Sequence, residues 1–70
     1  MSNAVEIKEQ LIEKLRTVSD DKEFLLSIIN HARHVDDRKV LIEYLEKGED
    51  VTYENLILLS LELYEKRYEK

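Results

Sequence analysis

The segment from His31 to Asp37 holds the only group of side chains in this sequence whose types and spacing suggest chemistry. It contains both histidines of the chain, His31 and His34, followed by Asp36 and Asp37. Residues three positions apart share a face of a helix, so the two imidazoles could act on one ion or substrate. Histidine and aspartate are ligands of zinc and iron, and imidazole is also a general acid or base near neutral pH. The segment could therefore hold a metal site or an acid–base site.

The spacing of these residues does not match the metal motifs of helical proteins. A zinc-protease helix carries His-Glu-x-x-His, whereas this sequence reads His-Ala-Arg-His. A di-iron bundle uses Glu-x-x-His pairs, and the sequence contains none. Cysteine is absent and there is no third histidine, so further ligands would have to be carboxylates from elsewhere. We therefore predict no metal and no cofactor, with His31, His34 and Asp36 as the candidate ligands should a metal bind.

The same segment is also typical of a connection between two helices. His31, Arg33 and His34 would lie in the last turn of one helix, where cations complement the negative end of the helix dipole. Asp36 and Asp37 would lie at the start of the next helix, where carboxylates accept hydrogen bonds from free amides. We predict this arrangement, with Asp36 as the N-cap of the second helix.

Other catalytic chemistries find little support in the sequence. Gly48 is the only glycine, so a glycine-rich phosphate loop is absent. The four serines lack the small-residue turn that surrounds a hydrolase nucleophile. A chain of 70 residues is also too short to enclose a substrate pocket while keeping a core. We predict that the protein is not an enzyme and has no catalytic residues.

The elements that position this segment are predicted to be helices throughout. The chain is rich in Leu, Glu, Lys and Ile and contains no proline, a composition that favours helix. We predict one all-α domain over residues 1–70, a small four-helix bundle. Residues 1–4 resemble a cloning remnant or a disordered start and are given no functional weight. The predicted helices span residues of about 4–17, 20–33, 37–47 and 53–68.

The ends of these helices are predicted from capping residues. Asn3 and Glu6 fit a capping box at helix 1, and Ser19 or Asp20 is expected to cap helix 2. Gly48 is expected to end helix 3 in a left-handed conformation. Thr52 is expected to cap helix 4. Hydrophobic staples are predicted from Val35 with Val40 at helix 3 and from Val51 with Leu56 at helix 4.

The first three helices are predicted to bury one apolar face each, because their apolar residues recur every three or four positions. Leu26 lies off the predicted face of helix 2. The predicted faces are Ile7, Leu11, Leu15 and Val18 in helix 1; Phe24, Leu25, Ile28, Ile29 and Ala32 in helix 2; and Val40, Leu41, Tyr44 and Leu45 in helix 3.

Helix 4 differs because six of its apolar residues cover nearly half of its circumference, and Leu58 and Leu59 extend the apolar surface outside that half, on opposite borders. A helix that is apolar nearly all round is usually buried on more than one side. A chain this short also buries too little surface to be comfortably stable alone. We therefore predict a homodimer that acts through protein–protein contact. The predicted interface consists of Leu58, Leu59, Leu63, Tyr64 and Tyr68.

The charge of the chain suggests a second interaction surface. Sixteen acidic residues against eleven basic ones give a net charge of −5. An acidic inhibitor or adaptor could bind a basic protein partner through residues 46–55, since complementary charge speeds association. The residues that would form this surface are Glu46, Glu49, Asp50 and Glu54.

Nucleic acid and membrane are not expected as partners. Lysine and arginine alternate with glutamate, so a basic face would require a dimer that brings together Arg33, Arg38 and Lys39. The longest apolar runs are too short to span a bilayer. The start of the chain is charged where a signal peptide would be apolar, so we expect a cytoplasmic protein.

The size, acidity and predicted helices of this chain are similar in type to small bacterial and phage accessory proteins, among them the immunity proteins that block toxins. The adjacent tyrosine pair of the colicin-nuclease immunity proteins is absent, since Tyr44, Tyr53, Tyr64 and Tyr68 are never neighbours. The resemblance therefore implies a helical fold and a protein partner, and it assigns no site residue.

Overall fold

Residues 3–69 are described by a computed structural model and form a small all-α arrangement of four helices, as predicted. Within these residues there is no strand, and none of the helices has the length and apolar character needed to cross a membrane. Met1 and Ser2, which belong to the segment predicted to be a cloning remnant, lie outside the described residues. The helices are α1 (Ala4–Leu15), α2 (Lys22–His31), α3 (Val35–Lys47) and α4 (Tyr53–Tyr68).

The core forms between helices that are not consecutive in the chain. α1 packs mainly against α3 and α2 mainly against α4, while α1 and α2 make little contact with each other. The predicted faces of α1 and α2 supply most of the core, and Leu26 points away from it as predicted. Burying each large apolar side chain contributes roughly 1.5–3 kcal/mol. The largest fully buried apolar side chains are Leu11, Leu15, Phe24, Ile28, Leu41 and Leu56.

The start of α2 is later than predicted. Asp21 is the N-cap, and its Oδ1 accepts a hydrogen bond from the amide of Glu23 at 3.2 Å. Ser19 Oγ accepts from the amide of Asp21 at 3.2 Å and so shapes the turn before the helix. The prediction of Ser19 or Asp20 as the cap was wrong because three polar residues in a row can each cap a helix. At α1 the predicted cap is confirmed, since Asn3 Oδ1 accepts from the amide of Glu6 at 2.9 Å.

The start of α3 is earlier than predicted, because His34 and not Asp36 caps the helix. His34 has an extended backbone and its Nδ1 accepts a hydrogen bond from the amide of Asp36 at 3.1 Å. Val35 is consequently the first residue of the helix, and Val40 is exposed. The staple and the buried face predicted for Val40 were therefore wrong.

The end of α3 also differs from the prediction. Gly48 has a φ of −70°, so it is not left-handed, and the positive φ of 55° belongs to Asp50. Glycine is required at position 48 for space, since a Cβ atom there would meet the backbone oxygen and the ring of Tyr44. The ring of Tyr44 therefore covers the end of its own helix, and any side chain at position 48 would displace it.

α4 begins and ends as predicted, and two parallel rows of side chains run along it. Thr52 Oγ1 accepts from the amide of Asn55 at 3.2 Å, which confirms the cap. Both rows follow the 4-3-4 spacing that keeps residues on one side of a helix. The inner row is Leu56, Ser60, Leu63 and Arg67, and the outer row is Ile57, Leu61, Tyr64 and Tyr68.

Candidate functional site

His31 faces the interior of the bundle and joins α2 to α4. Its Nδ1 lies 3.2 Å from Oγ of Ser60, a fully buried residue of the inner row. Ser60 Oγ donates its own proton to the carbonyl of Ile57 at 2.8 Å. With its single proton used in this way, the hydroxyl can accept a hydrogen bond from the His31 tautomer that carries its proton on Nδ1. The ring also meets Tyr64 edge-on, with centroids 5.9 Å apart.

His34 is exposed, and its side chain caps the start of α3. Its Nδ1 lone pair accepts the amide of Asp36, and the same nitrogen lies 3.7 Å from the Asp36 carboxylate. Nδ1 of His34 is thus used to cap α3, and Nε2 is the remaining nitrogen of its ring.

The three candidate metal ligands do not come together. His31 binds Ser60 on α4, while His34 and Asp36 form an exposed cap at the start of α3. Within residues 3–69, no three histidine, aspartate or glutamate side chains are grouped as a metal site requires. Within the described residues, the spacing in the sequence therefore does not correspond to a group of metal ligands.

Arginines satisfy the carbonyls that α2 leaves free at its end. Arg33 Nε donates to the carbonyl of Asn30 at 2.9 Å, and Arg38 Nε reaches back from α3 to the carbonyl of Ala32 at 2.7 Å. Cationic donors at this position also complement the negative end of the helix dipole. Lys39 is exposed next to them. Of the three cations that a nucleic-acid groove would need, Arg33 and Arg38 thus donate hydrogen bonds within the chain itself.

Asp37 and Arg67 form a two-pronged ion pair between the start of α3 and the last turn of α4. Arg67 Nε donates to Asp37 Oδ2 at 2.7 Å, and Nη2 donates to Oδ1 at 3.0 Å. Asp37 is buried, so its charge needs this partner. The hydrogen bond with Asp37 raises the pKa of Arg67 above its ordinary value. The pair fixes the register of α4 against α3.

An open depression beside His31 has a volume of about 340 Å³. Its wall includes His31 and Tyr64, which already contact each other, and Leu61 of the outer row. Glu65 and Glu69 contribute carboxylates at the rim. The depression therefore belongs to the seam between α2 and α4, and its imidazole serves to hold that seam together.

The five residues predicted as an interface divide into two groups. Leu59 and Leu63 are partly buried and pack against the core of their own chain. Leu58 is 62% exposed and Tyr68 is 45% exposed. Tyr64 is partly buried and its ring lies against that of Tyr68, with centroids 5.0 Å apart.

The acidic surface predicted around residues 46–55 is partly engaged within the chain. Glu46 pairs with Lys14 of α1 at 3.2 Å, while Glu49, Asp50 and Glu54 are exposed. The backbone of the loop is held in place, because the carbonyl of Asp50 accepts from Tyr44 at 3.0 Å and from Asn55 at 2.8 Å. A basic partner for this surface stays a prediction.

Two features of the bundle were missed by reasoning from the sequence. Ser60 lies at the middle of the inner row, between Leu56 and Leu63, and a polar residue at the centre of an apolar face is a signal of a buried hydrogen bond. The pairing of Asp37 with Arg67 carried no such signal, because the two lie on different helices and far apart in the chain.

No protein-family model, no curated protein and no solved structure matches this chain. Its function is therefore inferred from its own geometry.

Proposed function

We propose that this protein is a non-catalytic interaction module that associates with a second copy of itself through the outside of α4. The surface consists of four residues, Leu58, Leu61, Tyr64 and Tyr68, named the α4 surface below. It keeps three of the residues predicted from the sequence and replaces Leu59 and Leu63, whose side chains pack on the core, with Leu61. A cytoplasmic location suits this role and is part of the proposal.

The observation that carries the proposal is the double row of side chains on α4. The inner row meets the rest of the bundle, whereas the outer row is covered only in part and ends in the exposed Tyr68. A 4-3-4 row of apolar side chains is typical of a seam between two helices. Tyrosine is enriched at the centre of interfaces because its ring is apolar and its tip is polar. The exposed Leu58 adds apolar area beside this row.

The charges beside the α4 surface predict how salt should affect the association. Glu62 and Glu65 are exposed and lie one turn after Leu58 and Leu61, and the exposed Glu69 follows Tyr68 at the end of the helix. In a symmetric dimer the same surface meets itself, so these carboxylates approach their own copies. Raising the NaCl concentration from about 0.1 M to about 1 M shortens the screening length from ~10 Å to ~3 Å. The dimer should therefore become tighter as salt is added.

Light scattering coupled to size-exclusion chromatography tests the proposal. The expected mass at high protein concentration is twice that of one chain, which is 8.4 kDa. Leu58→Glu should give a monomer, because it places another carboxylate within the α4 surface. Leu26→Glu is the matched control, since Leu26 on α2 is exposed to the same degree, 61%. A monomer at every concentration and salt level, or equal effects of the two substitutions, would contradict the proposal.

A further inference from the structure

A groove opens between α1 and α2, two helices that pack little against each other. Its volume is about 280 Å³ and it is open to solvent along the surface. The floor is apolar and the rim is basic. The floor consists of Ile12, Leu25, Leu26 and Ile29, and the rim consists of Lys8, Arg16 and Lys22.

The floor of the α1–α2 groove is an apolar surface that the chain itself leaves open. Leu26 is 61% exposed, although it lies beside the partly buried Ile29. Val5 is seven residues before Ile12, so the two lie on one stripe of α1, and Val5 is 63% exposed. Val5 therefore adds an exposed apolar side chain on the same stripe of α1, about two turns before Ile12. Exposed apolar surface beside a groove is typical of an interaction site.

The rim gives the groove a charge opposite to that of the whole chain. Every charged residue that lines it is a cation, while the net charge of the protein is −5. The ion pairs found within residues 3–69 do not include Lys8, Arg16 or Lys22. The three cations are thus available to a partner, and the fold brings Lys22 next to the other two.

We propose that the α1–α2 groove binds an acidic amphipathic helix of a partner protein. The apolar face of such a helix would cover Leu26 and Ile12, and its carboxylates would meet the basic rim, the arrangement of helix-in-groove recognition. Lys8 on α1 and Arg16, the C-cap of α1, are eight residues apart, which corresponds to about 12 Å or two helical turns. That spread suits several carboxylates along a helix.

Other ligands fit the groove less well. A fatty acid has one carboxylate for three cations, and an open groove would leave most of its hydrocarbon chain in water. Nucleic acid would use the cations but would place phosphates over an apolar floor. The proposal does not depend on the α4 surface, because the two surfaces share no residue.

Fluorescence anisotropy with labelled synthetic helices tests the proposal on the full-length protein. The acidic probe is a peptide of about 16 residues, long enough for helix formation, with leucines on one face and glutamates on the other. A second probe has the same leucines and lysine at every glutamate position. The acidic probe should bind at least about tenfold more tightly than the basic one and should bind more weakly as salt rises. Equal binding of the two probes, or no binding, would overturn the proposal.

Variants of the protein connect the binding to the groove. Binding of the acidic probe should become at least about tenfold weaker in Leu26→Glu, and also in the double variant Lys8→Glu, Arg16→Glu. The Leu58→Glu variant should bind the acidic probe with the same affinity as the unaltered protein. Circular dichroism verifies that each variant is folded, which is expected since none of these residues is in the buried core. Binding that survives both groove variants would overturn the proposal.

Self-association measured on the same variants separates the two surfaces. If Leu26→Glu abolishes the dimer and the probe competes with it, a second copy occupies the groove and the proposal of a different partner fails. If no dimer forms but the acidic probe binds at the groove, the proposed function of the α4 surface fails and the present proposal holds.

Discussion

Replacing His34 with alanine should lower the free energy of unfolding by about 1 kcal/mol, the usual loss for an N-cap. The side chain contributes the Nδ1 that accepts the Asp36 amide at 3.1 Å, and alanine has no acceptor to replace it. The first turn of α3 would then expose one more unpaired amide. For a domain of this size, a loss of 1 kcal/mol lowers the melting temperature by roughly 4–8 °C.

Three further substitutions calibrate this result. Asp36→Ala removes an exposed carboxylate near the start of the helix and should lower the free energy of unfolding by only about 0.5 kcal/mol. Thr52→Ala removes the cap of α4 and should cost about 1 kcal/mol. His34→Asp keeps an acceptor and adds a negative charge that suits a helix start, so it should be at least as stable as the unaltered protein.

Urea denaturation followed by circular dichroism measures all four variants. The total stability expected for 70 residues is roughly 4–10 kcal/mol, so differences of this size are measurable. If Asp36→Ala lowered the free energy of unfolding by more than His34→Ala, Asp36 would be the true cap and α3 would start later than described.

Two other predictions concern the ends of α3 and α4. Gly48→Ala should lower the free energy of unfolding by about 1–3 kcal/mol, as overpacking does, because the new methyl group meets both the backbone oxygen and the ring of Tyr44. A variant as stable as the unaltered protein in urea would contradict this explanation of Gly48. Arg67→Lys keeps the charge but loses the two parallel bonds to Asp37, so its melting temperature should fall, whereas that of Lys66→Arg should not. Since the pKa of Arg67 is raised, its stabilising effect is present below the ordinary arginine pKa and is lost only above it. The difference between Arg67 and lysine should therefore be the same at neutral and mildly alkaline pH, and a difference that vanished on mild alkalinisation would contradict the ion pair.

The sequence predicted those parts of the fold that depend on local pattern. The start of α4 follows from its cap, Thr52, and the exposure of Leu26 follows from helical periodicity. The α2–α3 connection was predicted less well, because His34 and Asp36 are both able to cap a helix and the choice depends on the backbone angle at position 34. Gly48 was assigned to the right helix end for the wrong reason, since the space taken by the Tyr44 ring cannot be read from the pattern.

Features that join separate helices could not be predicted in this way. Whether Asp37 meets Arg67, or His31 meets Ser60, depends on which helices become neighbours. The same holds for the α1–α2 groove, where the rim combines Lys8 and Arg16 with Lys22 from the next helix. Helices with similar apolar faces can pack in several orders, and hydrophobic periodicity alone does not distinguish among them.

The interleaved packing of the helices has a consequence for how the chain folds. α1 has its main partner in α3 and α2 has its main partner in α4, so a cut in the α2–α3 connection would separate both pairs. Each half would then hold two helices with little to bury against each other, and short helices without tertiary packing are marginal in water. The two halves are complementary fragments and neither is a subdomain, so helical structure should appear only when they are mixed. The protein is accordingly a single cooperative unit in which order at one end of the chain requires the other.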